Sequence, residues 1–198
     1  MMQFTIFSGG EMITIKSKTR EKTTKGSVKQ CRREGHIPYI VYSNGQTKEM
    51  GTVLKADINT LLRSIRFGFL CTTKLMLQND AGHERPVVVK DIQYHPTTYE
   101  ILHLDFLELE EGCPIKCKVP IDCINTVDCV GVKLGGMLRT VLRHVKVKCL
   151  PKNIPSHFEI DVKDLGMRES KRVEDISLPE GVKCLANPRD VLVSVVKK

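Results

Sequence analysis

The feature that most constrains the fold is an alternation of apolar and polar residues that recurs along the chain. In "CPIKCKVPIDC", residues 113–123, every second position is apolar and the positions between them hold proline, lysine or aspartate. The same period of two recurs around Val145, Phe158 and Val191. Because successive side chains of a strand point to opposite faces, this period predicts strands buried on one face. We therefore expect a mostly β chain.

Strand patterns also fill much of the first half. "MITIKSK" alternates, and "IPYIVYS" is rich in β-branched and aromatic residues. "TKLMLQNDAGHERPVVVKDIQY" is typical of two strands joined by an Asn-Asp-Ala-Gly turn, and "HPTTYEILHLDF" leads into another strand. Between the two halves, the composition changes at "LEEGC", residues 109–113. We expect two domains, residues 12–110 and 111–198, preceded by a poorly ordered extension at residues 1–11.

One segment has the spacing of a helix. Its apolar residues recur at intervals of three, four and seven, and they are Ile58, Leu61, Leu62 and Ile65. Asp57 is the expected cap at its start, and Gly68 follows its end.

A second helix is predicted from about Thr24 to Glu34, ended by Gly35. Lys25, Lys29 and Arg32 lie at i, i+4 and i+7, and so form a basic stripe on one face. On another face, Val28 and Cys31 are expected to dock to the core.

The positive charge is concentrated near this helix. The chain has a formal net charge of +8, and residues 16–33 hold eight basic residues against one acidic residue, Glu21. Such a run is either a solvated face or a surface for an anionic partner. Aromatic residues make up 5% and tryptophan is absent, which disfavours single-strand binding on stacked aromatic rings. Structured RNA fits better.

The eight cysteines contain no C-x-x-C pair. Those of the alternating segment, Cys113, Cys117 and Cys123, are expected to point inward as small apolar side chains, with free thiols in a reducing cytoplasm. We therefore predict no metal and no cofactor. "GVKLGG", residues 131–136, lacks the strand, helix and Gly-Lys-Ser ending of a phosphate loop, and is read as a tight turn. No apolar run approaches the ~18 residues of a membrane helix.

"YEILHLDF" carries two candidate polar groups, His103 and Asp105. The alternation predicts Leu102, Leu104 and Phe106 facing inward, and Ile101, His103 and Asp105 facing outward. The neighbourhood lacks enough ligands for zinc and has no nucleophile motif, so we predict no catalytic role. An exposed His and Asp can instead contact base edges or riboses. His95, which precedes a proline, is expected to shape the turn.

Two pairs of motifs resemble a known family. "KGSVKQCRREGHIPYIVYS" and "VVVKDIQYHPTTYEILHLDF" resemble the bacterial large-subunit ribosomal protein number twenty-five family, which binds 5S rRNA. "VGVKLGGML", "VKVKCLPKNIPSHFEIDVKDL" and "ISLPEGV" resemble its longer two-domain members, the general stress protein Ctc type. The resemblance implies a non-enzymatic constituent of the cytoplasmic ribosome. It also implies an N-terminal small β-barrel with helices, which binds 5S rRNA, and a C-terminal all-β domain.

The resemblance further implies which residues face RNA. These are Arg20, Lys25, Lys29, Arg32, Tyr42, Lys90, His103 and Asp105. The chain departs from the family pattern at Gln30, Val28, Tyr39 and Ser43. The implied partners are 5S rRNA, the large subunit and its neighbouring proteins, with no membrane and no small-molecule substrate. Two alternatives stay open: a tRNA-binding module related to the anticodon-binding barrels of glutaminyl-tRNA synthetases, and a Cys/His metalloenzyme or thiol hydrolase.

Overall fold

A computed structural model of the chain describes residues 4–7, 10–20, 24–43, 45–66 and 68–197. Contacts between Cα atoms divide it into two units, Met1–Cys113 and Pro114–Lys198. The prediction of a poorly ordered extension at residues 1–11 falls partly on residues 1–3, 8 and 9, which lie outside the described residues. The described part of that segment includes a strand, Phe4–Phe7.

The first unit is a closed barrel. Its strands are β1 Phe4–Phe7, β2 Gly10–Thr19, β3 His36–Ser43, β4 Gln46–Leu54, β5 Lys74–Gln78, β6 Glu84–Tyr94 and β7 Ile101–Glu108. Its helices are α1 Lys25–Arg33 and α2 Lys55–Ser64, followed by a 3-10 turn at Phe69–Cys71. The sheet order is β1-β2-β4-β3-β7-β6-β5, and β2 also pairs with β5. This second pairing joins the two edges, so β2 to β7 form a six-stranded barrel.

The barrel interior is lined by alternate residues of these strands, among them Ile15, Val41 and Phe106. Helix α2 contributes Ile58 and Leu61 to the same core. The helix begins at Lys55 with Leu54 as its N-cap, so the prediction that Asp57 caps its start is wrong. Asp57 lies in the first turn instead, where a carboxylate interacts favourably with the helix dipole.

The basic helix α1 lies at the periphery of the barrel. Thr24 is its N-cap, and its side chain accepts a hydrogen bond from the Ser27 backbone N–H. Gly35, with φ +78°, follows the end of the helix as predicted. None of the residues of α1 is buried, and Val28 and Cys31 are only half-buried. The expected docking of these two side chains into the core is therefore wrong.

One large side chain in the barrel depends on a glycine. Tyr39 of β3 is completely buried and lies opposite Gly51 of β4. Its ring packs edge-on against Phe106 at 5.5 Å between centroids, and its hydroxyl donates to Glu49 Oε1 at 3.2 Å. A tyrosine fits the crowded interior because the residue opposite has no side chain.

The second unit consists of two small sheets. Its strands are β8 Ile115–Ile124, β9 Gly136–Thr140, β10 His144–Cys149, β11 Phe158–Asp161, β12 Ser170–Arg172, β13 Lys183–Cys184 and β14 Val191–Lys197. A one-turn helix, α3, covers Val130–Lys133, and 3-10 turns cover Pro151–Asn153 and Val173–Asp175. The sheet orders are β11-β8-β10-β13 and β12-β14-β9. A barrel with helices and a β-rich second unit confirm the predicted fold class.

The predicted alternation of β8 holds over its first half. Ile115, Cys117 and Val119 are buried, but Cys113 precedes the strand and Cys123 is half-buried. The prediction that all three cysteines point fully inward is correct only for Cys117. All eight cysteines are free thiols.

The glycine-rich segment differs from the predicted tight turn. It forms α3 and then a turn at Gly135, with φ +87°. A Cβ at Gly131 would lie 2.8 Å from Val195 Cγ1. This glycine therefore serves close packing of α3 on β14.

Candidate RNA interface

A row of paired residues crosses the outside of the barrel. Met50 of β4 pairs with Ile40 of β3, Ile40 pairs with Asp105 of β7, and Asp105 pairs with Asp91 of β6. The Arg20 backbone N–H donates to the Met50 carbonyl at 2.9 Å, which extends the row toward β2. Paired residues share a face and neighbouring strands are about 4.8 Å apart. Strands distant in sequence therefore contribute to one surface.

A shift of register at the start of β7 changes the predicted faces. Gln93 pairs with His103, whereas Tyr94 pairs with Ile101, so Leu102 is an extra residue in β7. Ile101 is consequently buried and Leu102 half-exposed. The predicted orientations of Ile101 and Leu102 are wrong, because an extra residue reverses the alternation. Leu104 and Phe106 face inward as predicted.

The extra residue gives Arg32 its partner. Nε and Nη2 of Arg32 donate to the Leu102 carbonyl at 3.1 and 2.9 Å. This pair of hydrogen bonds ties α1 to the start of β7. Arg32 is therefore engaged with the protein backbone through two of its three guanidinium nitrogens.

His103 and Asp105 face outward, but not as two independent exposed groups. His103 Nδ1 lies 2.8 Å from Asp105 Oδ1, and the two side chains are 15% and 24% exposed. The predicted fully exposed face is thus corrected to a half-buried, mutually bonded pair. The Asp105 contact fixes the ring so that Nε2 is the nitrogen left to face outward.

Lys90 and Tyr42 form a second contact on this side of the barrel. Val89 pairs with Phe106 and Asp91 with Asp105, so Lys90 is an extra residue in β6. Its ammonium lies 5.2 Å from the centre of the Tyr42 ring, within the range of a cation–π interaction. Shifts of this kind re-aim side chains at functional surfaces.

The remaining predicted cations differ in their exposure to solvent. Lys25 and Lys29 are exposed, and neither has an ion-pair partner among the described residues. Arg20 is half-buried, and its Nε and Nη1 are buried without a hydrogen-bond partner in the described part of the chain. Such a group is costly to leave unsatisfied.

The turn between β6 and β7 is shaped by His95. Its Nδ1 accepts hydrogen bonds from the backbone N–H groups of Thr97 and Thr98, at 3.3 and 3.2 Å. This confirms the predicted role of His95. Nearby, Glu100 pairs with Lys55 at 2.6 Å, and that lysine lowers the pKa of the Glu100 carboxyl.

Sequence reasoning missed two polar residues of this surface. Asp91 lies directly opposite Asp105, and Gln93 lies directly opposite His103. The Asn-Asp-Ala-Gly turn correctly predicted the hairpin of β5 and β6. It could not indicate the pairing with β7, because that pairing depends on two register shifts.

No group of three metal-ligating side chains occurs within the residues that the structure describes. Across the same residues, no helix has the length and apolarity needed to span a membrane.

Comparisons with known proteins assign both units to one class. The family model described as "Ribosomal L25p family" matches residues 15–106. The model described as "Ribosomal protein TL5, C-terminal domain" matches residues 114–198. A barrel of the first kind followed by a domain of the second defines a two-domain ribosomal protein.

Curated relatives cover nearly the whole chain. The protein named "Large ribosomal subunit protein bL25" of Chlamydia muridarum is 42% identical over 180 residues, which is 91% of this chain and 97% of the relative. The proteins of the same name from Chlamydia trachomatis serovar L2 and Chlamydia pneumoniae are 42% and 40% identical, with the same coverage. The chain therefore belongs to the bL25 family of ribosomal proteins.

Family membership confirms three predictions. The resemblance to the two-domain type is correct, since both units match. The chain is a ribosomal protein and not an enzyme, so the Cys/His metalloenzyme alternative is excluded. As a ribosomal protein of a bacterial family, it belongs in the cytoplasm.

Proposed function

We propose that the protein is a structural constituent of the bacterial large ribosomal subunit and binds 5S rRNA through its first unit. The observation that carries this proposal is the surface formed by β3, β7 and β6, with α1 tied to its edge. It combines free ammonium groups with a fixed His-Asp pair and a lysine held over a tyrosine ring. The names of the relatives supply the ribosomal context.

The residues divide into two roles on this proposal. Lys25, Lys29 and Arg20 neutralise phosphates and orient the RNA. His103 Nε2 and Asp105 contact base edges or riboses in the wide, shallow groove of an RNA helix. Tyr42 supports Lys90, which approaches the backbone. Arg32 acts chiefly as a positioning residue, since it holds α1 against Leu102.

The composition of this surface favours binding to a helical RNA over binding to a single strand. The surface presents few aromatic rings, and Tyr42 is occupied by Lys90. Bases cannot stack in succession on such a surface. Shape, phosphates and ribose hydroxyls are what a set of lysines with one polar pair can recognise.

The test is binding of the full chain to 5S rRNA in competition with tRNA at several salt concentrations. Replacing Lys25 and Lys29 by alanine should reduce the slope of log K against log salt by about one unit per lost contact. The matched control, Lys133→Ala with Lys163→Ala, removes the same charge from the second unit and should leave the slope unchanged. Equal affinity for 5S rRNA and tRNA would overturn 5S specificity in favour of the tRNA-binding alternative.

A further inference from the structure

The second unit carries a group of five lysines that the proposed function does not use. We call it the lysine array, and its members are Lys116 and Lys118 on β8, Lys146 and Lys148 on β10, and Lys183 on β13. Lys146 lies directly opposite Lys118. Lys148 lies directly opposite Lys116 on one side and Lys183 on the other.

All five side chains leave the same face of the sheet. The residues that alternate with them, among them Cys117, Val119, Val145 and Val147, are buried. Four of the lysines are exposed and Lys118 is half-buried. Within the described residues, Lys116, Lys146, Lys148 and Lys183 have no ion-pair partner. These four lysines therefore present uncompensated positive charge on this face of the sheet.

This arrangement costs stability. Like charges directly opposite each other on neighbouring strands repel and destabilise the pairing. A surface needed only for solubility could mix lysine with glutamate at these positions, which would turn repulsion into attraction. Three opposed lysine pairs within one small sheet thus indicate a surface whose charges are neutralised by a partner.

We propose that the lysine array binds the phosphate backbone of RNA, as a second RNA-binding surface separate from that of the first unit. Lysine side chains are depleted in protein–protein interfaces, whereas their compact charges bind phosphates without a fixed geometry. The array spans about 5 Å across each strand pair and about 7 Å along each strand. Such a grid contacts adjacent phosphates but reads no base, so the binding is independent of sequence.

Acidic residues at the other end of the same sheet indicate which strands the RNA crosses. There Asp122 of β8 is directly opposite Glu159 of β11, and Asp161 is exposed on the same strand. These carboxylates would repel phosphates. The RNA therefore runs over β10 and β13 and avoids β11.

The first experiment measures binding of the full chain to a short double-stranded RNA of unrelated sequence, over a range of salt. The array variant replaces Lys116, Lys146, Lys148 and Lys183 by alanine. The control replaces Lys133, Lys163, Lys171 and Lys197, which also removes four charges from the second unit. We expect the array variant to lose about three to four units of salt slope, and the control less than one. Equal losses in both variants, or none in either, would overturn the proposal.

The second experiment separates RNA from a protein partner. A photoreactive benzophenone amino acid in place of Lys148 is carried into assembled large subunits and irradiated. Crosslinks to ribosomal RNA are expected, and crosslinks to protein alone would overturn the proposal. The array variant should keep its preference for 5S rRNA over tRNA, because sequence-independent contacts contribute equally to both. The proposal therefore fails or holds independently of the function of the first unit.

Discussion

Tyr39 and Gly51 stand directly opposite each other on β3 and β4, and the tyrosine ring occupies the space a side chain at Gly51 would need. A Cβ built at Gly51 would lie 2.5 Å from the Tyr39 hydroxyl oxygen and 2.5 Å from the Lys18 carbonyl oxygen. The absence of a side chain at Gly51 is what accommodates the tyrosine ring.

Gly51→Ala should therefore destabilise the first unit. Overpacking of a well-packed core typically costs about 1–3 kcal/mol, and here one of the clashing atoms, the Lys18 carbonyl oxygen, belongs to the backbone. Chemical unfolding would measure the loss. Gly26→Ala is the matched control, because nothing lies within 4 Å of the added methyl group and alanine favours a helix. Equal stability of the two variants would contradict the packing argument.

The stability of the first unit should fall at high pH because of Tyr39. Burial raises the pKa of the Tyr39 phenol from 10.0 to about 12. A raised pKa means that the folded state holds the proton more tightly than the unfolded state. The contribution of the protonated Tyr39 phenol to the free energy of unfolding is thus complete below pH 10 and is lost as pH rises toward 12.

Unfolding free energies of the wild type and Tyr39→Phe, measured from pH 9 to 12, test this. The wild type should lose stability relative to Tyr39→Phe by up to about 1.4 kcal/mol per pH unit across the window. Tyr99→Phe, at a position that is 78% exposed, is the control and should follow the wild-type profile. A constant difference in unfolding free energy between wild type and Tyr39→Phe would refute the raised pKa of the Tyr39 phenol.

Arg32→Lys should weaken RNA binding while keeping the charge. Lysine cannot make the forked contact with the Leu102 carbonyl, so α1 loses its tie to β7. We expect a loss of about 1 kcal/mol, or about fivefold in affinity, with an unchanged salt slope. Arg33→Lys, on the same helix, should bind normally. Normal RNA affinity in Arg32→Lys would show instead that the tie between Arg32 and Leu102 does not support RNA binding.

His103→Ala should impair RNA binding more than folding. The core beneath it is held by Leu104 and Phe106, which the change leaves in place. We expect a loss of about 1–3 kcal/mol in discrimination between RNAs, if the ring contacts a base edge. Thermal melts and titrations of His103→Ala, with His83→Ala in the β5–β6 turn as control, would separate the effects. Binding that falls only in step with the melting temperature would assign His103 a structural role.

Lys148→Glu should stabilise the second unit. It converts repulsion from both Lys116 and Lys183 into attraction, at roughly 0.2–1 kcal/mol for each pair. The gain should shrink as salt rises, because salt screens exposed charges. Lys163→Glu, which adds a carboxylate beside Asp161 and Asp164, is the control and should not stabilise. A lower melting temperature for Lys148→Glu would show that the lysines do not repel each other.

Local patterns predicted local structure well. The alternation at Val145, Val147 and Cys149 corresponds to a strand with one buried face. The turn ending at Gly82 joins β5 and β6, and α1 ends beside Gly35. In each case the signal and the structure lie within the same few residues.

The register between paired strands, and the pairing of strands that are distant in sequence, were not predictable in this way. The extra residue at Leu102 exists only relative to β6, and it reversed the face of Ile101. The tie between Arg32 and Leu102 arises from that same shift. The lysine array could not be predicted from the sequence either, because β8, β10 and β13 are adjacent in the sheet but separated in the sequence.

The closure of the barrel joins strands that are made at different times during synthesis. Ile13 of β2 meets Leu75 of β5 only when about sixty more residues have been made, which takes about 3–12 s at 5–20 residues per second. β7, the last strand of the unit to be made, lies between β3 and β6 in the finished sheet. Because β7 carries both His103 and Asp105, the proposed RNA-binding surface is complete only once β7 has been made. A chain made only as far as β6 therefore contains the basic helix but lacks His103 and Asp105.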